Sequence, residues 1–321
     1  MPSDGSAAPA TCILRAGSPP APAAAIERSS TRPLLSIGLV LCLAAGVGYF
    51  SLAPLVNRMP ETGVDETTYP ALIRSRDTPT GDWIPSTLVS HRVDRTLLAS
   101  SRHVVIQGDL NWSAADGTPA FETSGIYGVD RRTRMNLPGY GNVERAGLFL
   151  FPLHTERRDY RYWDPGFIGP RSARFDRTET VDGLTLLVFR FTARDLDETS
   201  GYIHLPDVPE RYEAHSDGDG WLWIEPTSGT LVDFQETGDS FFVEPKTGRR
   251  IAGFFHWRAA YDAPTRAAKL AQALKARRRI IATETVVPAG LLLLGVLALL
   301  LGGWRRWQRR AHAAPLQGPA R

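Results

Sequence analysis

The feature that most constrains this chain is an uncharged apolar run near its C-terminus. The nineteen residues from Val286 to Trp304 include eight leucines and no charged side chain. As an α-helix they would be about 28 Å long, close to the roughly 30 Å hydrocarbon core of a lipid bilayer. At about 0.5 kcal/mol for each leucine, the leucines alone favour membrane insertion by about 4 kcal/mol. The run therefore predicts a transmembrane helix.

A second apolar run, Leu34 to Val56, gives twenty-three uncharged residues. As a helix it would be about 34 Å long, enough to cross a bilayer with some tilt. The alternative is a cleaved signal peptide, whose apolar core is roughly 7 to 15 residues and is followed by a small-x-small cleavage site. Leu52-Ala53-Pro54-Leu55 offers no such site. We therefore expect an uncleaved signal anchor and two membrane spans.

The distribution of basic residues predicts the orientation. The residues outside 57–285 carry eight Arg and two acidic residues, whereas 57–285 carries twenty-nine Lys or Arg and thirty-two acidic residues. By the positive-inside rule, both termini lie in the cytoplasm and the large central region lies outside. Six basic residues beside the second run are predicted to lie at the membrane surface, near lipid phosphates: Lys275, Arg277, Arg278, Arg279, Arg305 and Arg306. The first four of these residues precede the second run on its predicted outer side, so locally they oppose this orientation.

Composition and the positions of chain-breaking residues divide the chain further. An Ala-, Pro-, Ser- and Gly-rich start predicts disorder, and prolines at 60, 70, 79 and 85 indicate a linker. Asp262 can cap a helix with an apolar stripe that has no breaker before the second run. The predicted order is a disordered cytoplasmic tail (1–33), transmembrane helix 1 (34–56), a linker (57–85), a β-rich extracytoplasmic domain (86–262), a juxtamembrane helix (263–285), transmembrane helix 2 (286–304) and a basic cytoplasmic tail (305–321).

Short β-branched and aromatic runs bounded by Gly, Pro, Asp or Asn predict nine or ten strands in the central region. They include 102–107, 125–129, 147–151, 184–191, 221–224, 230–235 and 251–257, with 174–179 as a polar edge strand. Turns such as Asp182-Gly183 and Ser228-Gly229 separate neighbouring runs by hairpin distances, which favours an antiparallel meander over βαβ units. The predicted fold class is mainly β: a curved antiparallel sheet or half-barrel between two transmembrane helices, with a long C-terminal helix continuing into the second span.

Several ordered motifs resemble the bacterial porin PorA family, best known from actinobacteria. They are Phe149-Leu150-Phe151-Pro152, Tyr160-Arg161-Tyr162-Trp163-Asp164, Val181-Asp182-Gly183-Leu184, Phe189-Arg190-Phe191 and the run from Trp221 to Gly229. Val129-Asp130-Arg131-Arg132-Thr133 resembles the family's turn between two strands, although Arg134 stands where a glycine is expected. The resemblance covers about residues 34–305. It implies a two-span envelope protein of largely unassigned role, so the family label does not by itself imply conductance.

The strand-turn-strand from Trp221 to Phe234 also resembles a hairpin of lipoprotein carriers, in which a half-barrel sheet covers a cavity for acyl chains. If this likeness holds, aromatic side chains would line an apolar pocket. We favour the alternative, an ordinary hairpin with aromatic residues that fill the core. The candidate ligand-binding residues are Phe151, Tyr160, Tyr162, Trp163, Phe189, Phe191, Trp223 and Phe234, with Trp112 and Phe255 as further candidates for the pocket wall.

No catalytic or metal-binding constellation is evident. The seven histidines are scattered, and the chain has no nucleophile elbow, phosphate loop or dinucleotide fingerprint. Glu213, Asp217 and Asp219 could surround calcium, but they lack the glutamate of an EF-hand, so we predict a solvated turn. Cys12 and Cys42 lie outside the central region, which therefore has no disulfide. We expect no enzyme activity, cofactor or metal.

Three functions remain open. We prefer a non-enzymatic, membrane-anchored envelope protein that binds a lipid, another apolar ligand or an envelope partner. The first alternative is a channel, which would require homo-oligomers because two helices cannot enclose a pore. Glycines in both apolar runs would allow close helix packing. The second alternative is a scaffold or sensor without a ligand. Because the net charge of +3 comes from the tails, nucleic acid is not an expected partner. The expected location is the cell membrane, with two spans.

Overall fold

The computed structural model describes residues 32–164, 166, 169–202 and 212–312. The predicted disorder of residues 1–33 and the end of the basic C-terminal tail fall almost wholly outside these residues. The contacts divide the chain into two compact units. The described residues of one lie within 32–40 and 295–312, and the other lies within Leu41–Leu294 and contains the sheet.

Two helices are long and apolar enough to cross a membrane, Pro33–Val56 and Ala263–Ala311. The first consists of α1 (Arg32–Val47), a π-helical turn (Gly48–Leu52) and α2 (Ala53–Val56). The second consists of α3 (Ala263–Ile281), a π-helical turn (Ala282–Val286) and α4 (Val287–His312). Asp262 caps α3 as predicted, because its carboxylate accepts a hydrogen bond from the backbone N–H of Thr265 at 2.9 Å.

In the smaller unit, helix segments pack through glycine. A Cβ added to Gly38 of α1 would lie 2.7 Å from the carbonyl oxygen of Gly295 and 2.7 Å from a side-chain carbon of Leu299 in α4. No other residue fits this close approach. Glycine therefore has a packing role between these two segments, as small residues commonly have between membrane helices.

The described residues form one antiparallel sheet of eleven strands. The strands are β1 (Val64–Ser75), β2 (Ile84–Ala99), β3 (His103–Ser113), β4 (Pro119–Asp130), β5 (Asn136–Gly141), β6 (Tyr160–Asp164), β7 (Gly169–Val181), β8 (Leu184–Asp197), β9 (Glu213–Glu225), β10 (Thr230–Glu244) and β11 (Arg249–Ala260). Their order in the sheet is β5-β4-β3-β2-β1-β11-β10-β9-β8-β7-β6. Two meanders, β1–β5 and β6–β11, are thus joined where β1 pairs with β11.

The sheet is strongly curved. Trp112 of β3 and Trp257 of β11 stand three strand spacings apart, roughly 14 Å on a flat sheet. Their ring centroids are nevertheless only 6.0 Å apart. Side chains on this concave face therefore meet across the sheet and form the main hydrophobic core. The convex face of β8, β9 and β10 is covered by α3, where Ala273 packs against Leu186, Val188 and Trp223.

The edge strands β5 and β6 do not pair with each other, so the sheet is open. The segment Gly147–Phe149 lies between these edges. The backbone N–H of Asn136 donates to the carbonyl of Gly147 at 2.9 Å, and the N–H of Leu148 donates to the carbonyl of Arg161 at 2.7 Å. The predicted strand at 147–151 is therefore only an isolated bridge to both edges. The predicted large, curved antiparallel sheet is confirmed.

The segment predicted as a linker, 57–85, contains β1 and the first two residues of β2, so this prediction is wrong for about half of its length. Tyr69, Ala71 and Ile73 alternate with exposed residues and enter the core. Proline is rare inside sheets because it lacks the N–H that a ladder needs. Pro70 is tolerated because β11 pairs only with the part of β1 from Ala71 onwards.

Candidate functional site

The predicted ligand-binding residues do not line one cavity. Six of them are in the concave core and are at most 7% exposed: Phe151, Tyr160, Tyr162, Phe189, Phe191 and Phe234. Trp112 and Phe255 belong to the same core. The ring centroids of Phe151 and Phe189 are 5.0 Å apart, and those of Phe151 and Tyr160 are 5.4 Å apart. The rings therefore contact one another and fill the space that a pocket would require.

The other two predicted residues lie elsewhere. Trp223 is on the convex face beneath α3, and its indole Nε1 donates to Glu179 Oε2 at 2.6 Å. Trp163 is half-buried, with the Arg145 guanidinium 5.5 Å from its ring centroid. Binding of an apolar ligand by the eight residues stays a prediction, whereas the geometry gives six of them a clear role in core packing.

Two spaces among the described residues of the sheet bear on ligand binding. A cavity of ≈ 10 Å³ lies among Trp112, Phe121, Gly166, Glu198, Tyr202 and Trp257. This volume holds about one water molecule. A shallow hollow of ≈ 300 Å³ is lined by residues of β9, β10 and β11, including Trp221 and Arg258. That hollow is at the lower limit for small-molecule sites. Neither space resembles an acyl-chain pocket.

Buried carboxyl groups beside the small cavity are a feature that the sequence analysis missed. Asp164, Glu198 and Glu236 are each at most 3% exposed. The Ser216 hydroxyl donates to Glu198 Oε2, and the indole Nε1 of Trp257 donates to Glu236 Oε1 at 3.2 Å. Within the described part of the chain, Glu198 Oε1 and Glu236 Oε2 have no hydrogen-bond partner. Both atoms are therefore available to an internal water.

Burial changes the protonation of two of these groups. It raises the pKa of Glu198 to about 8, and it raises the pKa of Glu236 well above its ordinary value, with the negative charge of Asp164 as the next cause. With a pKa of about 8, the Glu198 carboxyl group is protonated at neutral pH and can donate a hydrogen bond. Ser216, Ser240 and Tyr202 extend the network, with oxygen-to-oxygen distances of 2.7 and 2.6 Å. The cluster is a buried hydrogen-bond network, and the described residues around it form no opening for a substrate.

A second polar cluster lies on the concave face of β2 and β4. Asp94 accepts hydrogen bonds from Arg92 Nε and from the Tyr127 hydroxyl, both at 2.8 Å. The Arg145 guanidinium stands 3.6 Å from the centroid of the Tyr127 ring, and burial lowers the pKa of Arg145. Two arginines thus surround one buried carboxylate. A sequence pattern could have revealed this cluster only if the strand register were known.

The ends of both apolar helices meet the sheet at one junction. The Asn57 side-chain amide donates to Thr283 Oγ1 at 3.1 Å and to Glu284 Oε1 at 2.8 Å. His154 Nε2 lies 2.7 Å from Glu284 Oε2. Arg131 donates to the carbonyl of Met59 at 2.8 Å. These contacts link the residues after α2, the turn after α3 and two loops of the sheet.

We call this end of the sheet the base, defined as the turns 100–102, 131–135 and 226–229 together with helix residues 275–284. Arg277 at the base is paired with the fully buried Glu225 at 3.2 Å, and the same carboxylate accepts the backbone N–H of Ser228 at 2.7 Å. The geometry therefore favours a structural role for Arg277 over the predicted lipid contact. The other residues predicted at the membrane surface are exposed, namely Lys275, Arg278 and Arg279 at the base and Arg305 and Arg306 on α4.

Arg134 occupies the position where the family resemblance expects glycine, and its φ of 63° lies in the left-handed region that favours glycine. Its Nη1 donates to the carbonyls of Phe151 and Ser228, both at 2.6 Å. Burial, followed by the positive charge of Arg279, lowers the pKa of Arg134 to about 10. The arginine is thus held by backbone acceptors, and its charge has no carboxylate partner among the described residues.

The acidic residues considered for calcium lie along β9 rather than in the predicted solvated turn. Asp217 pairs with Arg250 at 3.1 Å, and Asp219 pairs with Arg190 at 3.2 Å. No group of three or more His, Cys, Asp or Glu residues that could hold a metal ion occurs in the described ranges. The turn prediction is wrong because β9 begins at Glu213, earlier than the aromatic run at 221–224 indicates.

An open, curved antiparallel sheet that lies in sequence between two strongly apolar helices defines a membrane-associated β protein. The chain belongs to the Porin PorA family, whose model matches residues 34–304. This match confirms the resemblance seen in the ordered motifs of the strands. No curated protein matches the chain.

Proposed function

We propose that the protein is a non-enzymatic, two-pass membrane protein that carries its sheet domain on the outer side of the cell membrane. In this proposal the domain presents its surface to the lipid headgroups and to another envelope component. It does not enclose a ligand.

The observation that carries this proposal is the filled concave face of the sheet. Six of the eight candidate residues for an acyl-chain pocket belong to one packed core, and the cavity beside Glu198 has room for about one water. Apolar binding would therefore require the core to open. We expect a fluorescent fatty acid to show no saturable binding to the purified full-length protein, and a stoichiometric complex would refute this part of the proposal.

The junction at the base supports anchoring at both ends of the domain. Asn57 directly follows the first apolar helix, and Thr283 lies three residues before the second apolar run. Hydrogen bonds between these two residues hold the two connections together. The outward orientation rests on the excess of arginine in the tails. Pairing of Arg277 with Glu225 removes one of the residues that oppose this orientation.

Cysteine labelling tests the orientation. Asp116 lies in the exposed turn between β3 and β4, far in sequence from both spans. We expect Asp116→Cys to react with a membrane-impermeant maleimide in intact cells, because the turn faces outward. The unmodified chain, with Cys12 and Cys42, is the matched blank. Labelling of Asp116→Cys only after lysis would overturn the proposed orientation.

A channel is the second candidate, and the family label alone favours it. Conduction would require several copies, because two helices cannot enclose a pore. Gly38 already packs against α4 of the same chain, so this glycine is used within one copy. We expect planar-bilayer recordings of the full-length protein to show no conductance. Reproducible channel steps that disappear with Gly290→Leu would favour the channel instead.

A further inference from the structure

The base of the sheet carries positive charge that its acidic residues do not balance. Each of three acidic side chains at or beside the base already has a partner: Glu61 pairs with Arg131, Glu225 with Arg277, and Glu284 with His154. Six basic side chains at the base form no ion pair with a carboxylate among the described residues: Arg102, Arg132, Arg134, Lys275, Arg278 and Arg279. This surplus attracts an anionic surface or ligand.

Arg134 is held in place by two backbone carbonyls. Its Nη1 is held between the carbonyls of Phe151 and Ser228. Within the described residues no oxygen accepts from its Nε or Nη2, so one edge of the guanidinium remains available. A guanidinium edge binds a phosphate with two parallel hydrogen bonds, which a flexible lysine cannot reproduce.

Arg279 adds a second cation to the same place. Arg277 binds Glu225, Glu225 accepts from the N–H of Ser228, and the carbonyl of Ser228 accepts from Arg134. This chain of contacts holds α3 against the turn that carries Arg134. Arg279 follows Arg277 by two residues on α3. Burial lowers the pKa of the Arg134 guanidinium, and the positive charge of Arg279 is the second cause. Two like charges so placed are stabilised by an anion.

The position along the helix matches the lipid headgroup layer. Arg279 precedes Val286, the start of the apolar run, by seven residues, or about 10 Å of helix. Headgroups extend a bilayer from a core of roughly 30 Å to roughly 40–45 Å, which adds several ångströms on each side. A long arginine side chain spans the remaining distance. A phosphate at this depth is within reach of Arg279.

We propose that Arg134 and Arg279 together bind the phosphate of an anionic phospholipid headgroup at the base of the sheet. The inference rests on the proposed function, because it requires the base to face the membrane surface. Exposed Lys275 and Arg278 attract the lipid, and the Arg134 guanidinium fixes the phosphate position.

Native mass spectrometry of the full-length protein, purified in detergent and exposed to equal amounts of phosphatidylglycerol and phosphatidylcholine, tests the site. We expect the unmodified protein to retain phosphatidylglycerol preferentially and Arg279→Gln to lose about tenfold of that preference. Arg279→Lys should lose part of it, because lysine keeps the charge but not the bidentate geometry. Lys246→Gln, in the β10–β11 turn, removes one exposed charge far from the base and should have no effect.

Arg279 is a suitable test residue because its side chain makes no hydrogen bond within the described part of the chain, so the variant should fold. Near-ultraviolet circular dichroism checks that expectation. An equal loss of lipid with Lys246→Gln would show only nonspecific charge attraction and would overturn the site. Retention unchanged in Arg279→Gln would overturn it as well.

Inorganic phosphate separates the two sources of the anion. We expect millimolar inorganic phosphate to leave the retained lipid unchanged, because the acyl chains add to the affinity of the lipid. Complete displacement would indicate a site for free phosphate and refute the lipid assignment. The maleimide experiment keeps the proposed function separate. Outward labelling with no effect of Arg279→Gln refutes only the lipid site, whereas inward labelling with a tenfold effect refutes only the outward orientation.

Discussion

Replacing Glu198 by Gln should stabilise the sheet domain at neutral pH and have little effect in acid. Glu198 is 1% exposed, and burial raises the pKa of its carboxyl group from 4.5 to about 8. At pH 7 the folded protein therefore holds a proton that the unfolded chain has released. The free energy of unfolding falls with rising pH wherever the folded state binds more protons than the unfolded state. The loss begins as the pH rises above about 4.5 and is complete near pH 8.

The size of the effect follows from the same values. At pH 7 the unfolded carboxyl is about 2.5 pH units above its pKa, and each unit corresponds to about 1.4 kcal/mol. Protonating Glu198 on folding thus costs about 3 kcal/mol at pH 7 and less than about 1 kcal/mol at pH 5. Gln has nearly the shape of the protonated acid, and its carbonyl can accept from the Ser216 hydroxyl as Glu198 does. The variant should recover most of that energy.

Thermal unfolding of the full-length protein in detergent, followed by near-ultraviolet circular dichroism, measures the difference. For a domain of this size, about 3 kcal/mol corresponds to a rise in Tm of roughly 6 to 12 °C at pH 7. At pH 5 the rise should be no more than roughly 3 °C. Glu122→Gln is the matched control, because Glu122 is exposed on β4. Equal stabilisation at both pH values, or destabilisation at pH 7, would refute the assignment of a buried protonated carboxyl.

Three further substitutions test the contacts that hold the fold. Tyr127→Phe should destabilise the domain by about 1 to 3 kcal/mol in denaturant unfolding, because buried Asp94 loses the hydroxyl donor, and no change would refute that bond. Arg277→Ala should cost about 1 to 3 kcal/mol, because it leaves buried Glu225 without its cation, although partial exposure of Arg277 weakens the pair. Gly38→Leu should abolish helix packing in the smaller unit, which disulfide cross-linking of engineered cysteines in α1 and α4 can detect.

The sequence was sufficient to predict the apolar helices and the antiparallel sheet. It was not sufficient to predict how side chains pack inside the sheet. Nineteen uncharged residues leave few alternatives to an apolar helix, and the structure has such a helix at the predicted place. Hairpin-spaced turns likewise led to an antiparallel meander. The sequence analysis missed β1 because Pro70 argues against a strand. The strand can contain this proline only because β11 stops pairing with β1 at Ala71. That boundary is a tertiary property, which no local pattern contains.

Aromatic residues show why the candidate site was harder to predict than the fold. A buried ring lies in the same alternating pattern whether it faces a ligand or another ring. Only the curvature of the sheet decides between these outcomes. Here the curvature brings Trp112 within 6.0 Å of Trp257, across two intervening strands. The same residues on a flatter sheet would leave a groove, so the predicted pocket depended on a curvature that the sequence analysis left open.

The polar groups of the concave face restrict the strands to a single register. Asp94 meets the Tyr127 hydroxyl only if β2, β3 and β4 keep their observed alignment. A slip of one residue would turn Asp94 to the convex face and place an apolar neighbour or a solvent-facing arginine in the core. Each such misalignment leaves a buried donor or acceptor unsatisfied, at roughly 1 to 3 kcal/mol. Aromatic side chains can pack against one another in many strand alignments, whereas these hydrogen bonds form in only one. The bond between Asp94 and Tyr127 therefore helps to select the alignment of β2, β3 and β4.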